Sequence, residues 1–304
     1  MPAGVTGSPL TPIPGFDSEH RWESAYCTPA RTERVRVAGT EIAVSCWEAV
    51  SDRTRPDVVL IHGGAAQRQW WDHLAPFLYG AGRVVALDLS GHGDSEHRDQ
   101  YTLDAWSEEV AGVADVFCSP TPLLVGHSMG GLVAVNAAQR QPDRFGAVLA
   151  LDSPLRRSSH SYAERRTKIA SRPVRSFTSQ TEALEGYKTF PPVTEAPARV
   201  MNHIARAAIR RAGDRWALKF DPGIYLRPQV PDDFVLTAQI PTWWVQAENG
   251  FVDEVMAQRI RDSLGPAGAL MRVPGASHHL ILEQPLAASW VINLFVQQPR
   301  RAAG

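Results

Sequence analysis

Residues 1–30 carry no sustained hydrophobic period and are rich in Pro, Gly and Ser, so they read as an arm outside any packed unit. From Arg31 polar and apolar positions alternate. Arg34-Val35-Arg36-Val37 and Glu41-Ile42-Ala43-Val44 flank Gly39 and predict a β-hairpin with one wet face. Solidly apolar runs then follow at 58–61, 84–87, 123–125 and 147–151, with helix-length stretches at 103–117 and 129–140 between several of them. Fully apolar strands alternating with helices predict a parallel sheet covered on both faces, an α/β architecture.

The rhythm breaks after Asp152. Residues 153 to 235 are polar and crowded with arginine, with helices expected at 161–171 and 195–213 on either side of Pro191-Pro192. Strand character returns at Thr242-Trp243-Trp244-Val245. A helix at 253–264, a strand at Leu270–Val273 and a last helix from 285 to 297 complete the chain. One α/β core, residues 31–152 and 236–304, interrupted by an insertion at 153–235, fits this layout better than two tandem domains.

Composition acts mainly by exclusion. With 31 basic and 32 acidic side chains the net charge is −1, which argues against a nucleic-acid binder. No run approaches the roughly 18 apolar residues of a transmembrane helix, and the N-terminus lacks the basic and apolar regions of a secretory signal. Cys27, Cys46 and Cys118 are too scattered for a disulfide framework or a thiolate metal site. No phosphate loop, dinucleotide fingerprint or metal-ligand cluster stands out. The expectation is a cytoplasmic, cofactor-free protein that meets a small hydrophobic substrate rather than nucleic acid or membrane. Self-association into a homo-oligomer stays open.

Chemistry concentrates at Gly126-His127-Ser128-Met129-Gly130, a Gly-x-Ser-x-Gly pattern between an apolar strand and a small-residue helix. A serine at so tight a strand-to-helix turn is exposed and strained, and flanking glycines let strand and helix approach. A hydroxyl needs a base, and His278, on a loop after the last strand, is the best placed of ten histidines; His279 competes with it.

His62-Gly63-Gly64, Asp88-Leu89-Ser90-Gly91-His92-Gly93-Asp94-Ser95, Gly126–Gly131 and Pro274-Gly275-Ala276-Ser277-His278 together resemble the landmarks of the α/β-hydrolase superfamily, in that family's order. The resemblance implies an eight-stranded, mostly parallel sheet with a helical cap inserted after strand six. It also implies an oxyanion hole from the backbone N–H groups of Gly64 and Met129, with structural parts for His62 and Asp94.

The third catalytic residue departs from the usual pattern. The position after strand seven where most members carry the acid is Gly250. Some relatives place the acid after strand six, which here is Asp152. Asp253, suited to capping the next helix, and Glu248 are the alternatives.

A serine nucleophile implies acyl transfer to an ester or lactone. Amide cleavage, carbon–carbon cleavage of β-diketone type, a ligand receptor on the same fold, and cofactor-free oxygenation or perhydrolase chemistry stay open. Trp70, Trp71 and Trp216 are candidate walls for an aromatic substrate, whereas Trp243 and Trp244 read as core. A solvated helix face accounts for most of the arginines in 153–235, with a substrate-carboxylate role for one of them as the alternative.

Overall fold

A computed structural model describes residues 29–48, 55–155, 160–227, 239–266 and 268–298. The expected N-terminal arm lies almost wholly outside them, as do parts of the insertion. The strands are β1 Arg31–Val37, β2 Thr40–Trp47, β3 Val58–Ile61, β4 Val84–Leu87, β5 Leu123–His127 and β6 Ala147–Leu151. Within the insertion come β7 Ser176–Phe177, β8 Ile209–Ala212 and β9 Arg215–Leu218, and after it β10 Thr242–Asn249 and β11 Ala269–Ser277.

The main sheet runs β1-β2-β4-β3-β5-β6-β10-β11, parallel from β4 to β11 and antiparallel at β1 and β2. This is the eight-stranded, mostly parallel arrangement expected. The β1–β2 hairpin turns through Ala38 and Gly39 at φ of +48° and +76°, the left-handed pair that a two-residue turn needs to match strand twist. Along β3 the side chains divide between faces. Val59 and Ile61 pack with helices Leu103–Phe117 and Met129–Arg140, while Val58 and Leu60 pack with Pro285–Val296.

Register decides what meets at the carboxyl edge. His127 pairs with Leu151 across β5 and β6, and Leu151 pairs with Val245 on β10. Ser128 and Asp152 therefore leave neighbouring strands at the same level.

The insertion departs from expectation. The helix anticipated at 195–213 is Ala198–Ala207, after which the chain forms a hairpin, β8 and β9, joined by β7 into a three-stranded sheet. Gly213, at φ of +64°, makes the turn. Ile209 is buried with Phe177 and Ala183 in a small separate core, and that packing outweighs the weak helical pattern of Ile209-Arg210-Arg211-Ala212. The other expected helix is His160–Ala170.

Among the described residues no helix is long and apolar enough to cross a membrane.

Fully buried His62 and His73 are held neutral, burial lowering each from 6.5 to about 4. The unfolded chain takes up these protons first, so stability is intact above pH 6.5 and falls as pH drops towards about 4. At about pH 5 each imidazole should remove about 2 kcal/mol. Urea midpoints at about pH 7.5 and about pH 5 check this; equal midpoints would contradict it.

Candidate active site

Between β5 and the helix Met129–Arg140, Ser128 sits at φ +54° and ψ −118°, a backbone region costing a non-glycine residue about 1–3 kcal/mol. The neighbours explain why glycines flank it. A Cβ on Gly126 would lie 2.3 Å from the Gly130 carbonyl oxygen, and one on Gly130 the same distance from that of Ile61. The Ser128 N–H donates to the Leu151 carbonyl at 2.9 Å, which pins the turn to β6.

Asp152, one residue past β6, is fully buried at φ +43°. Its Oδ2 accepts from His278 Nδ1 and from the Phe251 N–H, both at 2.7 Å, and its Oδ1 accepts from the Ala247 N–H at 3.2 Å. Burial pushes its carboxyl above the ordinary carboxylate range, while these backbone donors pull the other way. With Nδ1–H bonded to the carboxylate, the imidazole keeps Nε2 as its basic nitrogen. Phe251 stacks on the same ring, centroids 4.0 Å apart.

Gly250 explains the missing acid after strand seven. A Cβ there would lie 2.3 Å from Asp152 Oδ2, so the Asp152 carboxylate lies against the place where a Gly250 side chain would begin. The two alternatives are engaged elsewhere. Asp253 caps the helix Glu254–Ser263, its Oδ1 accepting from the Met256 N–H at 2.8 Å. Glu248 binds Arg272 at 3.0 Å and the Gly275 N–H at 2.6 Å.

The loop His62-Gly63-Gly64 runs beside the nucleophile turn: a Cβ on Gly63 would lie 3.3 Å from Ser128 Cβ, and one on Gly64 3.6 Å from Met129 Sδ. His62 fixes this loop, donating from Nδ1 to the Gly63 carbonyl at 2.7 Å and accepting the Leu89 N–H on Nε2 at 3.1 Å. Further along, buried Arg68 pairs with Asp88 and, at 2.9 Å, with Asp94, which also holds Lys219 of the insertion at 2.6 Å.

His127 and His279 were not foreseen as a group with His278. All three are buried, and one ring nitrogen of each lies within 4.8 Å of the others. His127 Nε2–H donates to the His278 carbonyl at 2.8 Å and steadies the base loop, while burial holds His127 far below its usual pKa and so neutral. His279 Nε2 binds the Pro191 carbonyl at 2.9 Å and ties that loop to the insertion. Phe251 follows the Gly250 position, yet neither its stacking nor the histidine triangle has a signature in the linear sequence.

A cavity of about 700 Å³ opens over these groups, lined by Ser128, His278, Gly64 and Met129 from the core and by Arg166, Ile169 and Phe190 from the insertion. Trp70 lines it. Trp71 does not: it is fully buried in the core cluster with Leu74 and Val291, to which the 4%-exposed Trp70 also belongs. Trp216 packs against the Phe177 core of the small sheet, also away from the cavity. Trp244 is core as expected, and Trp243 meets Phe295.

The profile of the alpha/beta hydrolase family matches residues 58–288. A pimeloyl-[acyl-carrier protein] methyl ester esterase of Neisseria meningitidis is 40% identical over 96 residues, 30% of this chain and 36% of its own. An esterase of Mycobacterium tuberculosis is 34% identical over 121 residues, 38% of this chain and 40% of its own. The chain thus spans well under half the length of these curated relatives. The solved structure of the mycobacterial esterase covers 89% of this chain and 93% of its own at a TM-score of 0.74 and 21% identity, a likeness of fold.

Gly250→Ala should lower Tm by a few degrees, because a methyl group displaces a carboxylate held by several donors at a cost of about 1–3 kcal/mol. Gly265→Ala, where a Cβ meets nothing within 4 Å, is the control and should leave Tm unchanged or slightly raised. Equal melting of both variants by calorimetry would refute the steric account.

Proposed function

Since the chain belongs to the alpha/beta hydrolase family, we propose that it is a serine hydrolase cleaving a carboxylic ester or lactone of a hydrophobic substrate through an acyl-enzyme. The observation that carries this reading is Ser128, strained at φ +54°, sharing one cavity with an imidazole whose Nδ1 lies 2.7 Å from buried Asp152. The esterase names of the partial relatives agree with it.

In this mechanism Ser128 Oγ bonds to the substrate carbonyl carbon while His278 Nε2 takes its proton. The carbonyl electrons move to oxygen, and that oxyanion is held by the N–H groups of Gly64 and Met129, worth about 3 kcal/mol each. Collapse breaks the carbon–oxygen bond, and His278 returns the proton to the leaving alcohol. Water, deprotonated by the same nitrogen, then attacks the acyl-enzyme and restores Ser128. Asp152 holds the imidazole tautomer and stabilises the imidazolium without taking a proton. The segment 153–235 acts as a cap over the cavity, and Trp70 offers the substrate an apolar wall.

Hydrolysis of p-nitrophenyl esters of rising chain length tests this. Ser128→Ala should lower kcat by about 10⁴ or more, and Asp152→Asn by about 10³–10⁴ with little change in KM. Asp253→Asn should stay within about threefold of wild type, losing at most about 1 kcal/mol of stability with its cap weakened. Undiminished turnover by Ser128→Ala would overturn the mechanism, and an inactive Asp253→Asn beside an active Asp152→Asn would reassign the acid.

A further inference from the structure

Among the described residues, the arginine, lysine, aspartate and glutamate side chains that line the cavity are all cationic: Arg166, Lys168, Arg172 and Arg227. Three of the four belong to the helix His160–Ala170 and the turn after it, on the side of the cavity that the insertion provides. Arg166 is 7% exposed and donates to the Arg227 carbonyl at 2.6 Å, locking this helix to the segment beside it. The Arg227 guanidinium stands over the Trp106 ring, 5.9 Å from its centroid.

Several cations of the insertion are engaged away from the cavity. Lys219 pairs with Asp94 at 2.6 Å, Arg215 bonds Ser176 at 3.1 Å, and Arg175 lies over Phe177. Lys168 and Arg172 line the cavity one helical turn apart, and among the described residues neither has a carboxylate within ion-pair distance. Both are exposed to solvent, and their side chains line the cavity that holds Ser128. The lining also includes the apolar side chains of Leu132, Ile169, Ile224 and Phe190.

From this arrangement we propose that the substrate is an ester bearing a free carboxylate at the end remote from the scissile bond, separated from it by an apolar spacer. Lys168 and Arg172 receive the carboxylate, and the spacer lies on the apolar part of the wall. A cavity of about 700 Å³ takes such a small molecule whole. This inference rests on the hydrolase reading, since the second end of the substrate is defined by the ester held at Ser128.

The test compares the p-nitrophenyl monoester of suberic acid with p-nitrophenyl octanoate, which match in length and differ in the terminal carboxylate. Wild type should favour the suberate by about tenfold or more in kcat/KM, the scale of two partly screened ion pairs. The preference should shrink in about 0.5 M salt, where the screening length falls to a few ångströms. Lys168→Glu/Arg172→Glu should abolish or invert the preference and leave octanoate turnover within about twofold. Equal use of the two esters by wild type, or equal loss of both in the double variant, would overturn the proposal. Binding decides it independently of turnover. Monomethyl suberate should raise the Tm of Ser128→Ala, methyl octanoate should raise it less, and the double charge reversal should cancel the difference. If wild type cleaves neither ester while this binding difference holds, the hydrolase reading fails and anion recognition stands. If the two ligands shift Tm equally, anion recognition fails whatever the turnover.

Discussion

A carboxylate shut away from water is tolerable only where donors surround it. At Asp152 the donors arrive from separate parts of the chain: the Ala247 N–H from β10, the Phe251 N–H from the loop after it, and His278 Nδ1 from the loop after β11. One buried group thereby sets where three segments meet. It requires glycine at position 250, because a Cβ there would stand 2.3 Å from the carboxylate, and it draws Phe251 onto the face of the imidazole. The His278 backbone is held from the other side by His127, the residue before the nucleophile. Ser128, His278 and Asp152 thus depend on one another through packing.

The same economy of space governs the nucleophile turn. Helix and strand approach so closely that a methyl at Gly126 or Gly130 would meet backbone oxygen at 2.3 Å. Such a contact has nowhere to relax, which is how a serine persists in a left-handed conformation. The insertion is fastened over this edge by polar ties. Lys219 reaches Asp94, His203 reaches Asp72 at 2.7 Å, and Gln67 donates to the Ile204 carbonyl at 2.9 Å. The helix His160–Ala170 packs instead on the 3-10 turn Pro222–Leu226.

The sheet was legible because its strands are short apolar runs bounded by turns, and period and length distinguish them from the helices between. That Ser128 and His278 share one cavity was legible because a tight turn and a loop position leave local marks. The contact of Asp152 with His278 was legible for a subtler reason: residues 128 and 152 stand at the ends of paired strands, and position 250 is glycine. Within the insertion the local pattern misled. Ile209 to Ala212 form a strand because Gly213 turns the chain back onto Arg215–Leu218 and Ile209 shares a small core with Phe177, a distant residue invisible to helical periodicity. Trp71 likewise looks equivalent to Trp70 in sequence, yet of these two core residues only Trp70 reaches the cavity. The gathering of Lys168 and Arg172 at the cavity depends on how the whole insertion docks, which no single segment encodes.

Activation of Ser128 by the Asp152-bound imidazole is the central claim, and labelling with a fluorophosphonate reads it without reference to any substrate. Peptide mass spectrometry should find one phosphonyl group on Ser128 in the wild-type protein. Labelling should slow by about a hundredfold or more in Asp152→Asn and stay near the wild-type rate in Asp253→Asn. A label on another residue, or wild-type labelling kinetics in Asp152→Asn, would contradict the account.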